Sequence, residues 1–226
     1  MKSRAIHHIS LVVAFLAVAL MGEGVAQAQV VMAPGSFASG AAPAATINDP
    51  TANIIDTDAW TPVVGVNNIA SQPSTFSGQG GSWVIQGDSA NPFGPNGLTF
   101  LYQFKNDSTS TDAINRLTVS GFGSYQTAVA VNTAWASSPV SQFTRSLTGN
   151  SIGATFDGLG LAPGNYGNMV VYTDATGYGY GSALVQDGSQ GSWQVFAPIP
   201  EPETYAMLMA GLGLMGVIAR RRKAQQ

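Results

Sequence analysis

From Trp60 onward the chain alternates short runs of β-branched and aromatic residues with clusters of Gly, Asn, Asp and Pro. In "LTFLYQFK" (Leu98–Lys105), Phe100, Tyr102 and Phe104 fall on one side, and Leu101, Gln103 and Lys105 on the other. A repeat of two belongs to a strand with one buried face. After the polar turn "NDSTSTD", the run "INRLTVSGF" (Ile114–Phe122) returns with Leu117 and Val119 pointing inward. Before them stands "SWVIQG" (Ser82–Gly87), closed by the turn-rich "GDSANPFGPNG". Six more runs follow, at Thr127–Asn132, Val140–Ser146, Ser151–Asp157, Asn168–Asp174, Ser182–Asp187 and Ser192–Ala197. No window in this body carries a 3.6-residue apolar repeat over ten residues or more. Many short strands joined by Gly-rich turns predict an all-β fold over residues 59–197, an antiparallel β-sandwich of jelly-roll or Ig-like kind. A closed barrel is the alternative. Residues 29–58, with "APGSFASGAAPAAT", are expected to form a flexible Ala/Gly/Pro-rich lead.

Both ends break this rhythm. Met1 to Ser10 carries Lys2, Arg4, His7 and His8, an apolar stretch follows from Ile9 to Met21, and small residues end in Ala26-Gln27-Ala28. Basic, apolar and A-x-A segments in that order predict a signal peptide over residues 1–28, with Ala26 and Ala28 as the signal-peptidase site. The apolar stretch is too short for a span, which needs about 20 residues. At the other end Tyr205 to Ala219 is apolar apart from glycines, and Arg220, Arg221, Arg222 and Lys223 close it. About 15 helical residues reach about 22 Å, short of a hydrocarbon core of about 30 Å. Tyr205 suits one interface, and the basic side chains can snorkel to the other. A transmembrane helix over 205–219 with a cytoplasmic basic tail is therefore expected, leaving the body outside by the positive-inside rule.

Charge and missing residue types narrow the chemistry. Between Gln29 and Ile199 there are nine aspartates against Lys105, Arg116 and Arg145, a net charge of −6. That sign repels phosphate backbones, so no nucleic-acid partner is expected. The chain has no Cys, and both of its histidines lie in the leader. A Ser–His–Asp triad, a thiol nucleophile and a His- or Cys-ligated zinc site cannot be assembled. An Asp–Asp pair could still hydrolyse a glycosidic bond, but no spacing singles one out. The body is expected to be non-catalytic and to need no cofactor.

Within the tail, Gly211-Leu-Gly213-Leu-Met-Gly216 spells the dinucleotide fingerprint. That fingerprint needs a strand before it and an acidic residue about 20 positions later, so it is rejected here. Pro200-Glu201-Pro202, a short polar step, the Gly-containing apolar run and the basic end together resemble the PEP-CTERM sorting signal of Gram-negative bacteria, over residues 198–226. The resemblance implies that a membrane-embedded exosortase recognises the tail, cuts near Pro200–Pro202 and discards the helix. It implies a protein anchored transiently in the inner membrane and then delivered to the cell envelope, surface or extracellular space, in settings of exopolysaccharide, biofilm and floc matrix. The body, through "NPFGPNGLTFLYQFKNDSTSTDAINRLTVSGF" and "PGNYGNMVVYTDATGY", is similar to a recurrent passenger of such tails. Those passengers carry no established biochemical role.

Three further features could bind something. Asp56-Thr-Asp58 puts two carboxylates on one side of a strand, a spacing that can hold Ca²⁺ but lacks the glycine and bidentate glutamate of an EF-hand. Asn106-Asp-Ser108 fits the glycan acceptor pattern. Trp60, Trp83, Trp135, Trp193, Tyr178 and Tyr180 could stack on sugars. Aromatics in a sandwich more often fill the core, and Trp83 and Trp193 sit in apolar runs. Only Trp135, Tyr178 and Tyr180 look loop-borne, so they are the expected sugar contacts.

Overall fold

The computed structural model describes residues 29–39, 44–45, 53–67, 74–132, 140–199 and 209–215. Within them the body forms strands β1 (Val30–Val31), β2 (Phe37–Ser39), β3 (Ala44–Ala45), β4 (Asn53–Val64), β5 (Val66–Asn67), β6 (Ser77–Gln86) and β7 (Thr99–Asn106). The second half adds β8 (Arg116–Ser120), β9 (Thr127–Asn132), β10 (Val140–Arg145), β11 (Ser151–Phe156), β12 (Tyr166–Thr173), β13 (Tyr178–Gln186) and β14 (Ser189–Pro198). The first sheet runs β1-β9-β12-β7-β6-β4, with β3 also on β9, and the second runs β2-β10-β11-β8-β13-β14-β5. Pairing is antiparallel except where β3 lies parallel to β9. The chain passes repeatedly between the two sheets, so neither closes into a barrel.

The alternation seen in the sequence builds the interior. Val84, Phe100, Tyr102, Phe104, Met169 and Val171 from the first sheet meet Leu117, Val119, Ile152, Val185, Trp193 and Val195 from the second in one buried cluster. Beyond its pairing with β5, β14 has no further strand partner on that side among the described residues, and side chains of the opposite sheet cap it. Tyr102 Oη donates to Phe196 O at 2.7 Å, and Ser82 Oγ accepts from Phe196 N at 3.1 Å. Side chains thus satisfy an edge that would otherwise offer itself for pairing.

Two expectations need correction. The first is that β7 would bury one face, whereas both faces are buried, with Leu101 only 1% exposed. The turn-rich segment after Gln86 folds back over the first sheet, and its Ala90 and Phe93 pack on Leu101, Ala128, Ala130, Val170 and Tyr172. Asn91 pins that cover, donating from Nδ2 to Thr173 O at 3.1 Å and to Leu98 O at 3.3 Å. Gly97 allows the approach, since a Cβ there would lie 2.2 Å from Thr173 O.

The second concerns the lead, expected to be flexible over 29–58. β1 instead adds to β9 and β2 to β10, β4 edges the first sheet, and Met32 enters the core at 1% exposure. Its anchor is Arg145, whose buried guanidinium reaches four carbonyls. Nη1 donates to Met32 O at 2.7 Å, Nε to Gly149 O at 3.0 Å, and Nη2 to Phe122 O and Tyr125 O at 2.9 and 2.7 Å. Among the described residues of the lead, a low-complexity composition concealed strands and a buried Met32 whose carbonyl is held by a partner 113 residues away in sequence.

The leader, residues 1–28, lies outside the described residues. In the tail, residues 209–215 are helical and exposed. Among the described residues no helix is long and apolar enough to cross a membrane. The expected span over 205–219 extends past the described helix on both sides.

Candidate functional site

Two surfaces collect side chains that could bind a ligand. On the outer face of the first sheet, cross-strand register aligns Pro62, Gln79, Lys105 and Tyr166 in one row, and Thr57, Trp83, Leu101, Val170 and Ala130 in another. Between the rows lie Gly81, Gln103 and Asn168. Trp60 enters this face through a β-bulge. Pairing jumps from Asp58↔Ser82 to Thr61↔Gly80, so β4 spends three steps where β6 spends two. The extra residue re-aims the strand, and the Trp60 ring comes to rest between Trp83 and Tyr166. Its centroid is 5.7 Å from that of Trp83 at 76° and 6.4 Å from that of Tyr166 at 71°. Gly81 gives the neighbouring indole its room, because a Cβ there would meet Trp83 Cη2 at 2.9 Å. Trp60 and Tyr166 are 40% and 36% exposed. Lys105 Nζ stands 5.7 Å over the Tyr166 ring.

At the β4 edge, Asp56, Asp58 and Tyr178 come together. Tyr178 Oη donates to Asp56 Oδ2 at 3.2 Å. The Asp58 pKa is raised from its ordinary value, first by desolvation and then by the Asp56 charge. The Tyr178 phenol is also pushed up, by desolvation and then by its bond to Asp56. Among the described residues no group of three or more His, Cys, Asp or Glu could hold a metal ion.

The expected sugar contacts fare differently. Tyr178 and Tyr180 open strand β13 and are not loop-borne. Tyr178 meets the Phe196 ring edge-on at 5.5 Å, while Tyr180 stacks on it at 5.5 Å and 19° and stays 64% exposed. Trp135 lies outside the described residues, as do Ala26, Ala28, Pro200, Glu201, Pro202, Arg220, Arg221, Arg222 and Lys223. Trp193 is core, as expected, at 5% exposure. Trp83 is half-buried on the outer face, which the apolar run around it concealed. The Asn106 amide is buried and donates to Asp112 O and Leu161 O at 3.0 and 2.9 Å, so it is a structural staple with no access for a glycan.

The remaining cations are committed elsewhere. Arg145 is spent on carbonyls. Arg116 fans across the outer face of the second sheet, donating to Thr118 Oγ1 at 3.1 Å, Thr155 Oγ1 at 3.2 Å and Thr144 Oγ1. It lies over Gly153, where any Cβ would collide with the guanidinium. Of the body's three basic residues, Lys105 alone sits beside exposed rings.

No curated protein and no solved structure matches the chain. The family model of the PEP-CTERM protein-sorting motif matches residues 198–223. Those residues begin at Pro198, the end of β14, which is the last strand among the described residues. Such a motif implies processing by an exosortase and export to the cell surface. The chain therefore carries a PEP-CTERM sorting motif directly after a two-sheet β body.

Proposed function

We propose that the protein is a non-catalytic, structural or adhesive component of an extracellular matrix, delivered by exosortase processing of its tail and meeting exopolysaccharide there. The match over residues 198–223 carries this reading. The order of the chain supports it, because β14, the last strand among the described residues, ends at Pro198, so a cut near Pro200–Pro202 takes away no described strand. The leader, through Ala26 and Ala28, would direct export and be cut by signal peptidase. The tail would hold the protein in the inner membrane until release. The lack of His and Cys in the body supports a binding role over a catalytic one.

The intact mass of the exported protein tests both cuts at once. It is expected to correspond to a chain starting near Gln29 and ending near Pro200–Pro202, with the tail retained in cells lacking exosortase. Recovery of the full-length chain from the cytosol would overturn the proposal. Turnover of envelope polysaccharide that a single Asp→Asn change abolishes would overturn its non-catalytic part.

A further inference from the structure

We propose that Trp60, Trp83 and Tyr166, on the outer face of the first sheet, form a saccharide-binding site in which Lys105 supplies the charge. This deepens the matrix reading and rests on it for the source of the ligand. Tyr178 and Tyr180 on β13 are not part of it.

The geometry departs from core packing. Trp193, a true core indole, is 5% exposed and fills the space over Gly80, whereas Trp60 is turned outward by a bulge and left 40% exposed. Core logic would bury that ring. Instead the three rings meet at steep angles, 76° and 71°, and make two adjoining corners rather than one flat patch. A pyranose ring suits such a corner, being apolar on its C–H faces and polar around its rim. One face can rest on an aromatic plane while the rim hydroxyls reach Gln79, which is exposed on the same row, and the Lys105 ammonium. Aromatic groups with a few placed polar groups are the usual composition of a small-molecule site.

Other occupants fit less well. Single-stranded nucleic acid also stacks on aromatic rings, but the body's net charge of −6 opposes a polyanion of phosphates. A second copy of the chain would bring that same charge against itself. Its broad apolar area is absent here, because Gly81, Gln79 and Lys105 interrupt the rings. With Arg145 and Arg116 committed, Lys105 is the cation a lone sugar carboxylate would meet, so a polymer with sparse uronates among neutral sugars, which the −6 body opposes far less than a charge on every unit, should bind more tightly than a neutral one.

Affinity electrophoresis of the exported, processed protein through gels holding either a neutral glucan or a polysaccharide with sparse uronates tests this directly. Retardation is expected in both, stronger in the acidic gel, with tryptophan emission shifting when the polymer is added in solution. Trp60→Ala and Tyr166→Ala should each weaken binding at least about tenfold, the factor that about 1.4 kcal/mol brings. Trp60→Phe should retain part of it, and Tyr180→Ala should change nothing. Lys105→Ala should remove the preference for the acidic polymer. Circular dichroism of each variant separates lost binding from lost folding. Absence of retardation in every gel, or full retardation by Trp60→Ala and Tyr166→Ala, overturns the site. Equal retention of the two polymers by the unaltered protein overturns the role of Lys105. If binding fails while the intact mass still reports both cuts, only the site falls and the delivery reading stands.

Discussion

Arg145 shows how one side chain can hold distant segments together. Burial lowers its pKa and the Asp174 charge partly restores it, so the guanidinium stays charged and serves carbonyls from three stretches of chain. Arg145→Met should destabilise the body by about 3–5 kcal/mol, because several buried acceptors lose their donor at once. Urea unfolding with an unchanged slope would check it. Tyr102→Phe is a gentler probe: only Phe196 O loses a partner, and about 1 kcal/mol is expected. Asp58 gives a pH signature. Its folded-state pKa is raised, so the native carboxyl holds its proton more tightly than the unfolded one. Stability from this group is therefore greatest below the unfolded carboxylate pKa and falls as pH rises through the shifted value. Asp58→Asn should flatten that fall and leave the protein slightly more stable at neutral pH. Thermal melts across the acid range would show whether the slope changes.

Glycines inside strands explain most of what the sequence concealed at the level of elements. The nine runs of alternating or apolar residues all became strands, because side chains of that kind fit a pleated, half-buried surface. The first half of β6, "SGQGG", gives no such signal, yet it is ladder throughout. Its glycines lie under large rings: a Cβ at Gly78 would strike Phe104, and one at Gly80 would stand 2.1 Å from Trp193 Cε2. The absence of a side chain there is the complement of an aromatic elsewhere, which no local pattern can report. The same blindness hid the candidate site. Trp60 looks like an ordinary strand aromatic until a bulge that depends on β6 turns it outward, and Trp83 looks like core until Gly81 makes room beside it. The turn-rich cover after β6 was legible as turns, but its burial of Leu101 was not. Gly80→Ala should cost about 1–3 kcal/mol by overpacking. Combining it with Trp193→Leu should recover part of that loss in a double-mutant cycle, since both changes act on one volume.

At the scale of the whole molecule, the folded body and the expected processing sites share their limits. Among the described residues, the body's first contact is Gln29 Nε2 donating to Ala90 O, and its last backbone hydrogen bond is Ile199 N to Gly177 O at 3.2 Å. A cut after Ala28 and another at Pro200–Pro202 would release every described strand of the two sheets. Removing residues 1–28 and 203–226 should therefore leave Tm within about 2 °C, under about 1 kcal/mol for a domain of this size. Removing five more residues, through Ala33, should not be tolerated in the same way. It takes away β1, the buried Met32 side chain and the carbonyl that Arg145 Nη1 holds. Loss of a buried methionine alone costs about 2–5 kcal/mol, and the guanidinium left short of an acceptor adds to it, so a drop of about 10 °C or more is expected. Scanning calorimetry of the two truncations decides the matter. Equal melting of both would mean that residues 29–33 contribute nothing to the fold, and that the leader could be cut several residues later without harm.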